Sequence, residues 1–227
     1  MDFMTTKGTE YLLLIGYLLV LIPFWILLRG RTPKRVPAAA RAQVTPRAWF
    51  EVPADRHFHR GHTWALPEGE TLLRVGVDDF ARKLVGRPDA LRLPAPGARV
   101  EAGAPAWKLE LGGEAVDVLS PVTGEVAEVN PEVLRQPGLV ADDPYGRGWL
   151  FKVRVPQARA ALKNLLPARL ARAWTAEASE RVMGLMGMTH PELGVVLQDG
   201  GVPVVGIARE LAPAGWRSIA AEFLLTA

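Results

Sequence analysis

There is no cysteine among the 227 residues. That absence excludes disulfides, thiolate zinc sites, cysteine-ligated iron–sulfur clusters, thiol nucleophiles and the C-x-x-C-H attachment of c-type haem. Charge of one sign is scarce too. Lys+Arg number 27 and Asp+Glu 24, a net +3. This is too balanced to announce a nucleic-acid partner, although a pI near 9.4 leaves a weak pull toward anionic surfaces. No Walker loop, Rossmann Gly-x-Gly-x-x-Gly, His-Glu-x-x-His or nucleophile elbow occurs. With no catalytic constellation in view, the chain is expected not to be an enzyme. What is present, 49% apolar and 22% charged residues, suits one or two small folded domains.

Charge is also missing locally. Tyr11 to Leu28 runs without a single charged residue, and a helix of that length spans roughly 27 Å, close to the roughly 30 Å hydrocarbon core. Tyr11 and Tyr17 towards one end and Trp25 towards the other suit interfacial anchors, and Pro23 is tolerable as a kink. A cleaved signal peptide would need a positive leading region and a small-x-small site. Only Lys7 stands among Asp2 and Glu10, and the run ends in Leu27-Leu28-Arg29. An uncleaved single-span anchor is therefore expected. Arg29, Arg31, Lys34, Arg35 and Arg41 follow it, so the N-terminus is expected outside and the rest in the cytoplasm, against the inner membrane. Each of those cations contributes about 1 kcal/mol against anionic headgroups.

Four regions follow: residues 1–29 with the span, a basic Pro/Ala linker over 30–50, a β domain over 51–156 and an extension over 157–227. Short β-branched or alternating stretches recur in the β domain, at Leu72–Val77, Leu91–Leu93, Trp107–Leu111, Val116–Leu119, Glu125–Val129 and Trp149–Val155. Pro94-Ala95-Pro96-Gly97, Gly112-Gly113 and Pro121-Val122-Thr123-Gly124 separate them, the spacing of a small all-β sandwich or barrel. One helix is predicted near Asp78–Leu84, opened by two acidic residues.

Several blocks of this region resemble the glycine cleavage system H protein family. They are Gly61-His62-Thr63-Trp64, Val75-Gly76-Val77-Asp78-Asp79-Phe80-Ala81, Leu93-Pro94 with Gly97, Ser120 to Asn130, and Asp143-Pro144-Tyr145-Gly146 with Gly148-Trp149-Leu150 and Lys152. The similarity runs from about residue 58 to 155. It implies a lipoyl-domain-like flattened β-barrel of α+β type, here joined to a single N-terminal transmembrane helix and an appended C-terminal helix–hairpin–helix segment. In that frame Asp142-Asp143 precedes a turn and is structural.

The family carries lipoate on a lysine seven residues before the serine that opens the Ser-Pro-Val-Thr-Gly turn. Counting back from Ser120 reaches Gly113, and no lysine occurs between Lys108 and Lys152. A lipoyl amide needs an ε-amine, and Lys108 lies on the strand, where a ligase that reads hairpin geometry should miss it. Gly112-Gly113 fits a hairpin turn without cargo. No cofactor is therefore expected.

His57, His59 and His62 form the only histidine cluster, and His57 and His59 share a face if extended. His62 has a family counterpart and a linker-proximal pair is usually just solvated, so no metal is expected. In the extension, Ala158–Leu166 is helical in composition until Pro167. Ala168–Met186 follows as an amphipathic helix with Leu170, Trp174, Ala178, Val182 and Leu185 on one face. Leu193–Leu197 and Val202–Ala208 flank Gln198-Asp199-Gly200-Gly201 as a hairpin, with Pro203 demoting its second run to an edge strand. Trp216, Ile219, Ala220, Phe223 and Leu224 mark a terminal helix. Trp174, Met183, Met186, Met188, Trp216 and Phe223 are the candidate partner-contact residues, and they cover either the barrel or another subunit.

These features together predict a non-catalytic single-span accessory subunit of a membrane protein complex, placed by context in a respiratory or other electron-transfer assembly. Its partners would be the lipid bilayer and the integral and cytoplasmic subunits, with no nucleic acid and no small-molecule substrate. The alternative is a membrane-tethered lipoyl-type carrier, or a module recruiting a soluble dehydrogenase or redox enzyme.

Overall fold

The computed structural model describes residues 16–21, 49–189 (side chains to 186) and 205–226. Residues 16–21 form a helix, α1. Among the described residues no helix is long and apolar enough to cross a membrane. Apart from α1, which holds Tyr17, the span expected over Tyr11–Leu28 lies outside the described residues. So do Tyr11, Pro23, Trp25, Arg29, Arg31, Lys34 and Arg35. Contacts divide the chain after Gln43, and the second unit contains everything that follows.

Two antiparallel sheets enclose its core. The larger has seven strands in the order β10-β1-β2-β3-β9-β8-β5, and the smaller has three, β4-β6-β7. Their ranges are β1 His57–His59, β2 Thr63–Pro67, β3 Leu72–Val77, β4 Ala90–Arg92, β5 Arg99–Val100, β6 Pro105–Leu111, β7 Glu114–Leu119, β8 Gly124–Val129, β9 Phe151–Arg154 and β10 Leu166–Pro167. This is the mainly-β flattened architecture expected. In β6 the two-residue period puts Trp107, Leu109 and Leu111 inside and Lys108 outside. Trp107 meets Phe151 of β9 edge-on at 5.1 Å, joining the sheets across the core. The pairing of Trp64 with Gly76 lets the indole lie flat on β3, where a Cβ at Gly76 would stand 2.5 Å from it.

Between the strands lie α2 (Asp79–Val85), α3 (Pro131–Arg135) and α4 (Leu139–Asp142). The carboxylate of Asp78 caps α2 by accepting from the Ala81 N–H at 2.8 Å. Trp49 and Phe50, the last residues of the stretch assigned to the linker, are buried in the core. Lys83 donates to the Trp49 carbonyl at 2.6 Å, Glu51 N–H donates to Asp79 at 2.8 Å, and the Tyr145 hydroxyl donates to the Glu51 carbonyl at 2.7 Å.

The extension departs from expectation in three places. Ala158–Leu166 is helical only over α5 (Ala158–Ala161) and a 3₁₀ turn (Leu162–Asn164). Leu166 precedes a proline, which disfavours the helical region, and it pairs instead with Phe58 as β10. Next, α6 (Ala168–Thr189) presents Ala171, Thr175, Ala178, Ser179 and Val182 to the interior and leaves Leu170 exposed. Of the face expected inside, Ala178 and Val182 are fully buried and Trp174 and Leu185 partly buried, so Leu170 alone departs from it. Last, the end of Val202–Ala208 is not strand. Gly206, at φ +96°, breaks the chain direction and α7 (Ile207–Leu211) begins. The rest of that expected hairpin, residues 190–204, lies outside the described residues. The terminal helix, α8 (Trp216–Leu224), is present as expected.

Candidate functional site

The β6–β7 hairpin is closed by Gly112 and Gly113, at φ +58° and +82°. Leu111 pairs with Glu114 across a two-residue turn, a connection whose twist demands positive φ at its centre. The tip is held from two sides. Gly112 N–H donates to Asp89 at 2.6 Å. From the extension, Trp216 donates its indole N–H to the Glu114 carboxylate, and the Arg209 guanidinium lies 4.9 Å from the Trp216 ring. A Cβ placed on Gly112 would meet Arg209 at 3.3 Å, whereas one on Gly113 would meet nothing within 4 Å.

Lys108 is the lysine nearest the tip along the chain. It stands in mid-strand opposite Asp117, paired with it at 3.2 Å. The hairpin therefore projects no amine from its turn. Asp89 and Arg209 are functional neighbours that sequence reasoning missed. Arg209 follows directly on the run Val202–Ala208 and was given no role, and Asp89 carries no signal beyond a Pro-Asp turn.

Of the partner-contact candidates, Trp216 and Phe223 are buried within the chain, at 4% and 3% exposure. Phe223 packs 5.5 Å from Phe80. Here the extension covers the barrel. Trp174 is partly buried and stacks on His62 at 4.3 Å, and Met183 and Met186 pack against the core from its edge. The side chain of Met188 lies outside the described residues.

The three histidines sit in different surroundings. His62, fully buried and at φ +58°, is sandwiched between Phe80 and Trp174. Its Nδ1 lies 2.9 Å from Asp78, so one carboxylate both caps α2 and fixes this ring. His57 and His59 sit on β1. Burial lowers the pKa of both, with nearby His62 and Arg60 adding to the effect at His59. His59 Nδ1 accepts from Gly61 N–H at 3.0 Å. Tyr145 accepts from Asp79 N–H at 2.9 Å, and burial, aided by Asp78, drives its phenol pKa far up. Asp143 accepts from the N–H groups of Gly146 and Arg147 at 2.9 and 2.7 Å, a turn-forming role.

Known proteins are similar to this chain in sequence. The family described as Glycine cleavage H-protein matches residues 56–178, reaching past the barrel into α6. A glycine cleavage system H protein of Thermus thermophilus is 41% identical over 119 residues, 52% of this chain and 91% of that protein. One from Mycobacterium avium is 38% identical over 120 residues, 53% of this chain and 90% of that protein. A crystal structure of a glycine cleavage system H protein from Mycobacterium marinum matches with 30% identity and a TM-score of 0.48, covering 56% of this chain and 98% of that one.

Proposed function

We propose, from the premise that the chain belongs to the glycine cleavage H-protein family, that it is a member without cargo. It would act as a non-catalytic accessory subunit of a membrane protein complex, its barrel stabilising or docking neighbouring subunits rather than swinging a lipoyl arm. The observation that carries this reading is the turn of the β6–β7 hairpin. The position seven residues before Ser120, where the family bears its lysine, is Gly113. Neither turn residue has a side chain, and an amide to lipoate requires an amine nucleophile. Lys108 is ion-paired on the strand, and Trp216 of the extension donates to Glu114 beside the turn.

The uncharged run Tyr11–Leu28 and the cations after it support placement at the cytoplasmic membrane, with the barrel inside. The test is purification of the full chain from native membranes in mild detergent, followed by intact mass measurement and identification of the accompanying chains. The expected result is an unmodified mass and stoichiometric membrane subunits, whose identity names the complex. A mass increased by one lipoyl group would replace this reading with that of a membrane-tethered carrier.

A further inference from the structure

Charge is unevenly distributed in the second unit. From Pro144 to Ala176 there are seven Lys or Arg residues and no Asp or Glu. The first three are neutralised from elsewhere in the fold. Arg147 pairs with Glu132 at 2.7 Å, Lys152 with Glu128 at 2.9 Å and Glu68 at 3.3 Å, and Arg154 with Glu125 at 3.5 Å. The other four, Arg159, Lys163, Arg169 and Arg172, are exposed and have no acidic partner among the described residues. Arg172 reaches only the Val52 carbonyl, at 3.3 Å.

Arg159 and Lys163, one turn apart, line a groove of about 1110 Å³ at the β10–β1 edge of the larger sheet, with His57, Thr71 and Gln157. Nδ1 of His57 is buried and lacks a hydrogen-bond partner. Burial also favours the uncharged imidazole, which leaves that nitrogen able to donate or accept. One acidic residue, Glu70, stands on the groove.

The shape and the charge pattern choose the ligand class. A bilayer surface is flat and presents charge densely, as does a nucleic-acid backbone. This site is concave, carries two cations on one wall, and sets an acid beside neutral polar groups. We propose that the groove docks an extended acidic segment of a protein partner. Its carboxylates meet Arg159 and Lys163, and its backbone amides meet Thr71 and Gln157. The groove and the hairpin belong to different sheets, so this inference does not rest on the absence of lipoate.

The full chain in nonionic detergent is titrated into a fluorescein-labelled peptide of alternating glutamate and serine, and anisotropy is followed. Saturable binding that weakens with salt is expected. Arg159→Gln with Lys163→Gln should weaken it by about tenfold or more. Arg99→Gln with Arg217→Gln, which removes the same charge from exposed positions off the groove, should change it by less than about twofold. All four side chains are exposed, so thermal unfolding should coincide with that of the parent. Equal weakening by both pairs, or no saturable binding, overturns the proposal. So does displacement of the peptide by dihexanoylphosphatidylglycerol or oligothymidylate at equal charge concentration, which would assign the groove to lipid headgroups or nucleic acid.

Discussion

Inside the barrel the buried volume is aromatic and branched, with Trp64, Phe58, Phe80 and Phe151 among its largest members, whereas α6 enters with Ala171, Ala178 and Val182. The two regions also treat charge differently. Most barrel cations, among them Arg74, Arg92, Lys152 and Arg154, pair with carboxylates, while Arg159, Lys163 and Arg169 of the extension have no acidic partner among the described residues. A core that fills its own space with large side chains leaves its surface to be neutralised locally. An appended element that fits by closeness contributes little volume and leaves its outer charges to solvent. Between them sits the C-terminal helix pair, which buries Trp216 and Phe223 against the hairpin and α2.

The sharpest break in this comparison is Phe223→Ala. If α8 is integral to the barrel core, removing a side chain of 3% exposure should cost about 3–5 kcal/mol by denaturant unfolding. A loss below about 1 kcal/mol would mean that the extension is merely laid on. Tyr145→Phe should cost about 1–3 kcal/mol, because Asp79 N–H and the Glu51 carbonyl lose their shared partner. At the turn, Gly113→Ala should cost about 1 kcal/mol through its positive φ alone. Gly112→Ala should cost more, because its methyl group also meets Arg209. That excess should vanish in an Arg209→Ala background.

The smallest effect is expected with pH. The folded pKa values of His57 and His59 are depressed, so the unfolded chain binds more protons as pH falls through the ordinary imidazole range. Their stabilising contribution is present above that range and lost below it. The melting temperature should therefore drop between about pH 7.5 and about pH 5.5, and less so in His57→Gln with His59→Gln.

The barrel was legible where the chain declares itself locally. Leu72–Val77 is a β-branched run and appears unchanged as β3, and Asp78 caps the helix it was expected to open. The strands β1, β2, β5 and β10 were not legible. All but β2 are two or three residues long, and each exists because a partner strand supplies hydrogen bonds, as Leu166 does for Phe58. On α6 apolar periodicity found Ala178 and Val182, which are buried, but it also chose Leu170, which is exposed, and passed over the buried Ala171. At the hairpin, the missing lysine could be counted in the sequence. The hold on its tip could not, since Asp89, Arg209 and Trp216 reach Gly112 and Glu114 from far along the chain.

The pairing of β1 with β10 has a consequence for how the protein is made. His57 leaves the ribosome about 110 residues before Pro167 completes the strand beside it, roughly 5–20 s at ordinary elongation rates. Throughout that interval the nascent sheet presents an uncapped edge, the geometry that recruits foreign strands. Contacts so distant in sequence also slow the final closure. Messages cut short before residue 167 should therefore yield aggregating fragments rather than a smaller soluble barrel, and slower translation should lengthen the nascent chain's dependence on chaperones.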